Sequence, residues 1–296
     1  MSDAPIGIYD SGFGGLTVWR EIRRALPEES LIYLGDGKNC PYGSLSEERV
    51  AELADAAVRQ LLAEGCKLIV VACNTATAAA IERLRETFPS TPFVGLEPAV
   101  KPACRHTRSG VVGVVATERS LAGGKFLTTV ERYCGGKRVV KAVGRGWVEA
   151  VEADEECTPE TERRVREVLD PIMAAGADVI VLGCTHYPFL RPVIERVIGD
   201  RDIEVIDSGA AVEKRVESLL DQYDLRAARG HEASYRFMSM AGDDYCERLR
   251  RKAFASDGCA HVVDVGLRDA RVRNLRRMFR PVALRALGVG SYGPAQ

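Results

Sequence analysis

The chain has 296 residues, 46% of them hydrophobic and 28% charged, with 41 Lys and Arg against 42 Asp and Glu for a formal net charge of −1. That length has room for two cores, and the balanced charge supplies no global field toward nucleic acid or an anionic membrane. No apolar run approaches the roughly 18 residues of a membrane span, and the start, MSDAPIGIYDSG, lacks the basic and apolar regions of a secretory signal. A cytoplasmic protein is expected, with neither membrane nor nucleic acid as a partner.

The first predicted strand, 6–9, runs into Asp10-Ser11-Gly12-Phe13-Gly14-Gly15. Glycines there let the backbone approach a small polar ligand, with amides free to hold an anion. The run is not a dinucleotide fingerprint, because Thr17 stands where the last glycine is needed, and no G-K-[ST] follows. Strands are predicted next at 31–34, 68–72 and 93–96, with helices over 47–63 and 75–87. A second series follows: strands at 110–115, 138–143, 179–183 and 203–206, helices over 159–175 and 192–198, and a further helix from near Gly209. Strands alternating with helices imply an α/β fold with mainly parallel sheets.

The two series are related. AEGCKLIVVACNT at 63–75 and AAGADVIVLGCTH at 174–186 superimpose without a gap at an offset of 111, which places Cys73 on Cys184. Such a match indicates internal duplication. The first domain is expected to comprise 1–98 plus 208–296, the second to be an insertion over 99–207, with crossovers near Pro98 and Asp207 to Gly209. Each copy puts a cysteine where an apolar strand runs out, and in parallel α/β sheets ligands bind beyond the carboxyl ends of the strands. Two facing copies would present two thiols to one ligand from opposite sides. Asn74 and Thr75, and Thr185 and His186, follow the thiols and can cap a helix whose N-terminus favours a thiolate.

Nine cysteines in irregular spacing, without a C-x-x-C, argue against a disulfide framework and against zinc modules. Free thiols are expected. The basic stretch RDARVRNLRRMF carries Val272, Leu275 and Phe279 at helical spacing and is expected to be an amphipathic surface helix.

D-S-G-x-G-G at 10–15, G-D at 35–36 with P-Y-G at 41–43, A-C-N-T-A-T at 72–77 and G-C-T-H-Y-P at 183–188 together resemble the glutamate racemase family, over about residues 5–220. Thr77 and His186 stand where aspartate racemases more often carry other residues. The resemblance implies two pseudo-symmetric α/β domains closing over the substrate. It implies a cofactor-independent, metal-free isomerase that makes D-glutamate for peptidoglycan, and with it cell wall and cell shape. Homodimers are common in the family, and some members bind DNA gyrase. Racemisation needs a proton removed from one face of Cα and another delivered to the opposite face, so two acid/base groups must flank one carbon.

Cys73 and Cys184 supply those groups. By resemblance Asp10 assists Cys73 and His186 assists Cys184, with Glu152 nearby. Asn74, Thr75, Thr117, Thr185 and His186 are candidates to hold the substrate carboxylate where charge develops, and Asp10, Ser11, Tyr42 and Gly43 complete the pocket. Ser120 and Gly123 depart from the family's usual threonine and serine, and the tail from about 221 matches weakly, chiefly around GDDYCERL. Two other readings stand beside this one: a racemase of aspartate or another small acid, and a non-catalytic interaction module on a racemase scaffold.

Overall fold

The computed structural model describes residues 1–255 and the strand at 271–274. The first sheet begins with β1 (Ile6–Asp10), β2 (Leu31–Gly35), β3 (Leu68–Val71) and β4 (Phe93–Gly95), interleaved with α1 (Leu16–Ala25), α2 (Glu47–Ala63) and α3 (Asn74–Thr87). Through α4 (Val100–His106) the chain enters a second sheet of β5 (Val111–Ala116), β6 (Arg138–Val143), β7 (Val179–Leu182) and β8 (Glu204–Ile206). That sheet carries α5 (Glu118–Ala122), α6 (Gly124–Tyr133), α7 (Trp147–Glu152), α8 (Pro159–Ala174) and α9 (Arg191–Ile198). The chain returns through α10 (Gly209–Gln222) to β9 (Tyr235–Ser239), α11 (Asp243–Phe254) and β10 (Arg271–Asn274).

Every described strand pairing is parallel. The sheet orders are β10-β9-β2-β1-β3-β4 and β6-β5-β7-β8, so four strands of the first sheet repeat the whole order of the second. The duplication is visible at single bonds. Gly65 ends α2 with φ +82° and Gly176 ends α8 with φ +85°, a left-handed conformation that costs glycine little. Gly65 N–H donates to Leu62 and Cys66 N–H to Leu61, as Gly176 N–H donates to Met173 and Ala177 N–H to Ile172. These paired Schellman bonds aim β3 and β7 alike, and both strands are wholly buried.

β9 joins the first sheet beside β2, and aromatic packing explains why. Trp19 on α1 is fully buried, with ring centroids 5.4 Å from Tyr235, 5.5 Å from Phe237 and 5.2 Å from Phe254. Burying side chains of this size contributes about 2–3 kcal/mol each. The two crossovers run side by side, where the Ser208 hydroxyl donates to the Glu97 carbonyl.

Two sequence expectations change. Residues 271–274 form a strand parallel to β9, not part of a helix. The alternation Arg-Val-Arg-Asn satisfies a period of two as readily as Val272, Leu275 and Phe279 satisfy 3.6, and a short apolar pattern cannot choose between them. The remainder of RDARVRNLRRMF lies outside the described residues. Nor are all the cysteines free: Cys104 on α4 and Cys134 after α6 form a disulfide, and Cys157 is also disulfide-bonded. The first pair lies 30 residues apart and meets because α4 packs on α6, which spacing along the chain does not reveal. Cys40, Cys66, Cys73, Cys184 and Cys246 are free thiols.

Candidate active site

β3 and β7 deliver Cys73 and Cys184 to one buried site, with the two residues only 5% and 9% exposed. Cys73 is itself the N-cap of α3: its Sγ accepts the Ala76 N–H at 3.5 Å and lies 3.6 Å from the Ser11 hydroxyl. Its thiol is nonetheless pushed up to about 12, first by burial and then by the Asp10 carboxylate. The second thiol has a different setting. Cys184 is followed by a 3₁₀ turn over Tyr187–Leu190 before α9 begins, so a helix N-terminus backs Cys73 alone. Cys184 instead faces His186, whose Nδ1 lies 3.9 Å from Sγ.

His186 is held from behind. Its Nε2 and an oxygen of Glu152 are 2.7 Å apart. That same oxygen accepts the Phe13 N–H, and the other accepts the Tyr245 hydroxyl, both at 2.7 Å. Burial alone favours a neutral imidazole, but hydrogen bonds to Cys184, Cys40 and Glu152 outweigh it and raise the His186 pKa well above the usual value. Burial likewise works against the Glu152 carboxylate, yet His186, Phe13 and Tyr245 hold its pKa below the usual range. Tyr187 fixes the turn, packing edge-on to Trp147 and donating to the Gly144 carbonyl at 3.3 Å.

Asp10 lies between the two sheets. It accepts the Gly12 N–H at 2.8 Å and the Thr185 hydroxyl at 3.1 Å, and burial raises its pKa despite the nearby His186 charge. Thr75 and Thr117 bring their hydroxyls within 3.3 Å across the cleft, and Thr117 donates to Ser120 at 2.9 Å. Asn74 is buried, and its Nδ2 has no hydrogen-bond partner among the described residues. Such a donor is costly unless something else satisfies it. It lines a small pocket together with Thr17, Cys184, Thr185 and Ser208.

Of the pocket residues expected from sequence, Gly43 faces Thr117, and Tyr42 is held through its hydroxyl. That hydroxyl donates to Asp36 at 2.7 Å and lies 2.6 Å from Tyr9, so Tyr42 anchors its loop. Thr77 is structural too, accepting the Leu96 N–H and donating to the Val71 carbonyl, both at 3.0 Å. The glycines of the first loop serve side chains of the opposite sheet. A Cβ on Gly14 would stand 2.3 Å from His186 Nδ1, and one on Gly12 would stand 2.1 Å from Glu152 Oε1.

Sequence reasoning missed the contribution of α11. Tyr245 reaches Glu152, and its ring stacks on Phe13 at 4.7 Å. Arg248 and Lys252 pair with Asp154 at 2.7 and 2.6 Å, which ties the loop after α7 to the first sheet. GDDYCERL was the visible trace of this helix, but nothing local in it points 93 residues upstream to Glu152. No described helix is long and apolar enough to cross a membrane.

Paired thiols in a cleft between two parallel sheets define a class, and comparison with known proteins agrees. A family model described as Asp/Glu/Hydantoin racemase matches residues 14–215, and the chain belongs to that family. Within it, the chain is 46% identical over 234 residues to a glutamate racemase of Ectopseudomonas mendocina, covering 79% of this chain and 89% of that one. It is 48% identical over 225 residues to a glutamate racemase of Roseiflexus sp., covering 76% and 82%. Among solved structures, a glutamate racemase isoform from Bacillus anthracis superimposes with a TM-score of 0.76 at 30% identity, over 90% of this chain and 99% of that one. The Escherichia coli glutamate racemase, in complex with L-glutamate and an activator, gives 0.75 at 32% identity, over 84% and 95%.

Proposed function

We propose that this chain is a cofactor-independent glutamate racemase in which Cys73 and Cys184 exchange protons with opposite faces of the substrate Cα. One observation carries the reading: two strands of equivalent place, β3 and β7, end in buried thiols near enough for Cys184 to act electrostatically on Cys73. Starting from L-glutamate, Cys184 takes the α-proton while the Cys73 thiol, held at about 12, delivers one to the other face. The protonated His186 keeps a positive charge 3.9 Å from Sγ of Cys184, where the base must carry negative charge. Asp10, between Thr185 and Cys73, serves the reverse direction. The orphaned Asn74 amide, with Thr75, Thr117 and Thr185, supplies donors for the carboxylate on which charge develops. Ser11 and the Gly43 backbone close the pocket.

The proposed domains are 1–98 with 208–296, and 99–207, so that the side-by-side crossovers act as the hinge of the cleft. D-glutamate for peptidoglycan, and with it cell wall and cell shape, follows from the substrate, and the proposed compartment is the cytoplasm. The Cys104–Cys134 disulfide and the disulfide-bonded Cys157 pull against a reducing compartment. A homodimer and a gyrase contact rest on family resemblance alone. The test is direct: purified protein without added cofactor should abolish the circular dichroism of L-glutamate far faster than that of L-aspartate. Preference for aspartate would favour the runner-up substrate, and loss of neither signal would overturn the reading.

Tyr245 is a positioning residue in this scheme. Tyr245→Phe retains the stack on Phe13 but removes the hydrogen bond to Glu152. It is expected to lower kcat about fivefold with KM unchanged, a loss of about 1 kcal/mol. In a Glu152→Gln background the same change should add nothing further. A fall in KM-dependent terms alone, or full additivity, would remove Tyr245 from the relay.

A further inference from the structure

Cys40 has no part in the proton transfers above, yet its thiol reaches the cleft. The loop after β2 carries it to the edge of the first sheet. Its Sγ, a carboxylate oxygen of Glu152 and an imidazole nitrogen of His186 all lie within 4.8 Å of one another. The three come from separate elements: that loop, the last residue of α7 and the turn after β7. They converge over the bare Cα of Gly12, where a Cβ would stand 2.1 Å from Glu152 Oε1 and 3.0 Å from Cys40 Sγ. Thiolate, imidazole and carboxylate together are a zinc donor set, binding at about 2.0–2.3 Å with a fourth position left for water. Ligands at those lengths stand about 3.3–3.8 Å apart around a tetrahedral ion, so small side-chain rotations suffice. Glu152 is already oriented by Phe13 and Tyr245, as ligands of good metal sites are.

We propose that Cys40, Glu152 and His186 form an inhibitory site for a soft divalent cation, Zn²⁺ above all. Binding releases the Cys40 thiol proton and the proton His186 shares with Glu152, and the ion's two charges balance thiolate and carboxylate. The ion joins the first sheet to the second across the cleft and replaces the His186–Glu152 pair that holds the imidazole beside Cys184. Hard cations such as Mg²⁺ and Ca²⁺ prefer all-oxygen sites and are excluded by the sulfur and nitrogen ligands. The inhibitory consequence rests on the two-thiol reading; the binding itself does not.

The test separates the two. In the full chain carrying Cys73→Ala and Cys184→Ala, titration with Cd²⁺ should raise one equivalent of thiolate-to-cadmium charge-transfer absorption. Adding Cys40→Ala should abolish that absorption, and adding His186→Asn instead should weaken binding at least tenfold. The same absorption at the same affinity in both of these variants overturns the site. With the two catalytic thiols restored, Zn²⁺ should block racemisation and a chelator should restore it, and Cys40→Ala should be at least tenfold less sensitive. Equal sensitivity of Cys40→Ala and the unaltered protein overturns the inhibitory role.

Discussion

Replacing either Cys73 or Cys184 by alanine is expected to lower turnover about 10²- to 10⁴-fold in both directions, the range over which a positioned acid or base contributes. Each thiol serves both directions, as base in one and acid in the other, so neither loss can spare one substrate. Stability should change little, because alanine deletes a single sulfur atom from each site. Cys66→Ala is the control. That thiol is also buried and pushed up to about 12, but it follows the Gly65 turn at the opposite end of β3 and touches no part of the cleft. Initial rates on both enantiomers for the three variants provide the check. Near-normal rates for Cys73→Ala or Cys184→Ala, or a collapse with Cys66→Ala, would contradict the assignment.

Gly14→Ala is expected to cost about 100-fold in kcat/KM, the penalty of misplacing a catalytic group by about 1 Å. The added Cβ would lie 2.3 Å from His186 Nδ1 and 2.5 Å from Thr185 Oγ1, and packed interiors leave no slack for such contacts. Either the two sheets part or His186 swings away from Cys184. Gly14 is not among the residues with positive φ, so the backbone itself accepts alanine and the far-ultraviolet circular dichroism should be unchanged. Gly135→Ala, with no atom within 4 Å of its added Cβ, should be silent. Equal activity of the two variants would show that the contact between Gly14 and His186 does not matter for turnover.

What the sequence disclosed and what it withheld divide along the range of the interaction. The thiols were legible because each ends a strand copied at a fixed offset, and strand-end position follows from local patterning. The parallel sheets were legible for the same reason, since apolar runs such as 68–71 and 179–182 alternate with helical stretches. Tyr245 was not, because its hydrogen bond to Glu152 spans 93 residues and no periodicity encodes it. A motif places Tyr42 in the loop after β2, but the partners of its hydroxyl, Asp36 and Tyr9, are not encoded in any local pattern. The glycines at 12 and 14 were legible as sites of close approach, but not the protein side chains that approach them. Glu152 and His186 come close from the opposite sheet, which only the packed structure shows.

The central claim is that two thiols act on opposite faces of one carbon, and solvent deuterium tests it most directly. If Cys184 and Cys73 are separate bases, the proton removed by one is not the proton returned by the other. The delivered hydrogen has already exchanged with solvent. In D₂O, starting from protonated L-glutamate and sampled early by NMR or mass spectrometry, the D-glutamate formed should carry deuterium at Cα while the remaining L-glutamate stays almost wholly protonated. Early D-glutamate that keeps its original hydrogen would mean a single base serving both faces, and would contradict the two-thiol mechanism even with racemase activity intact.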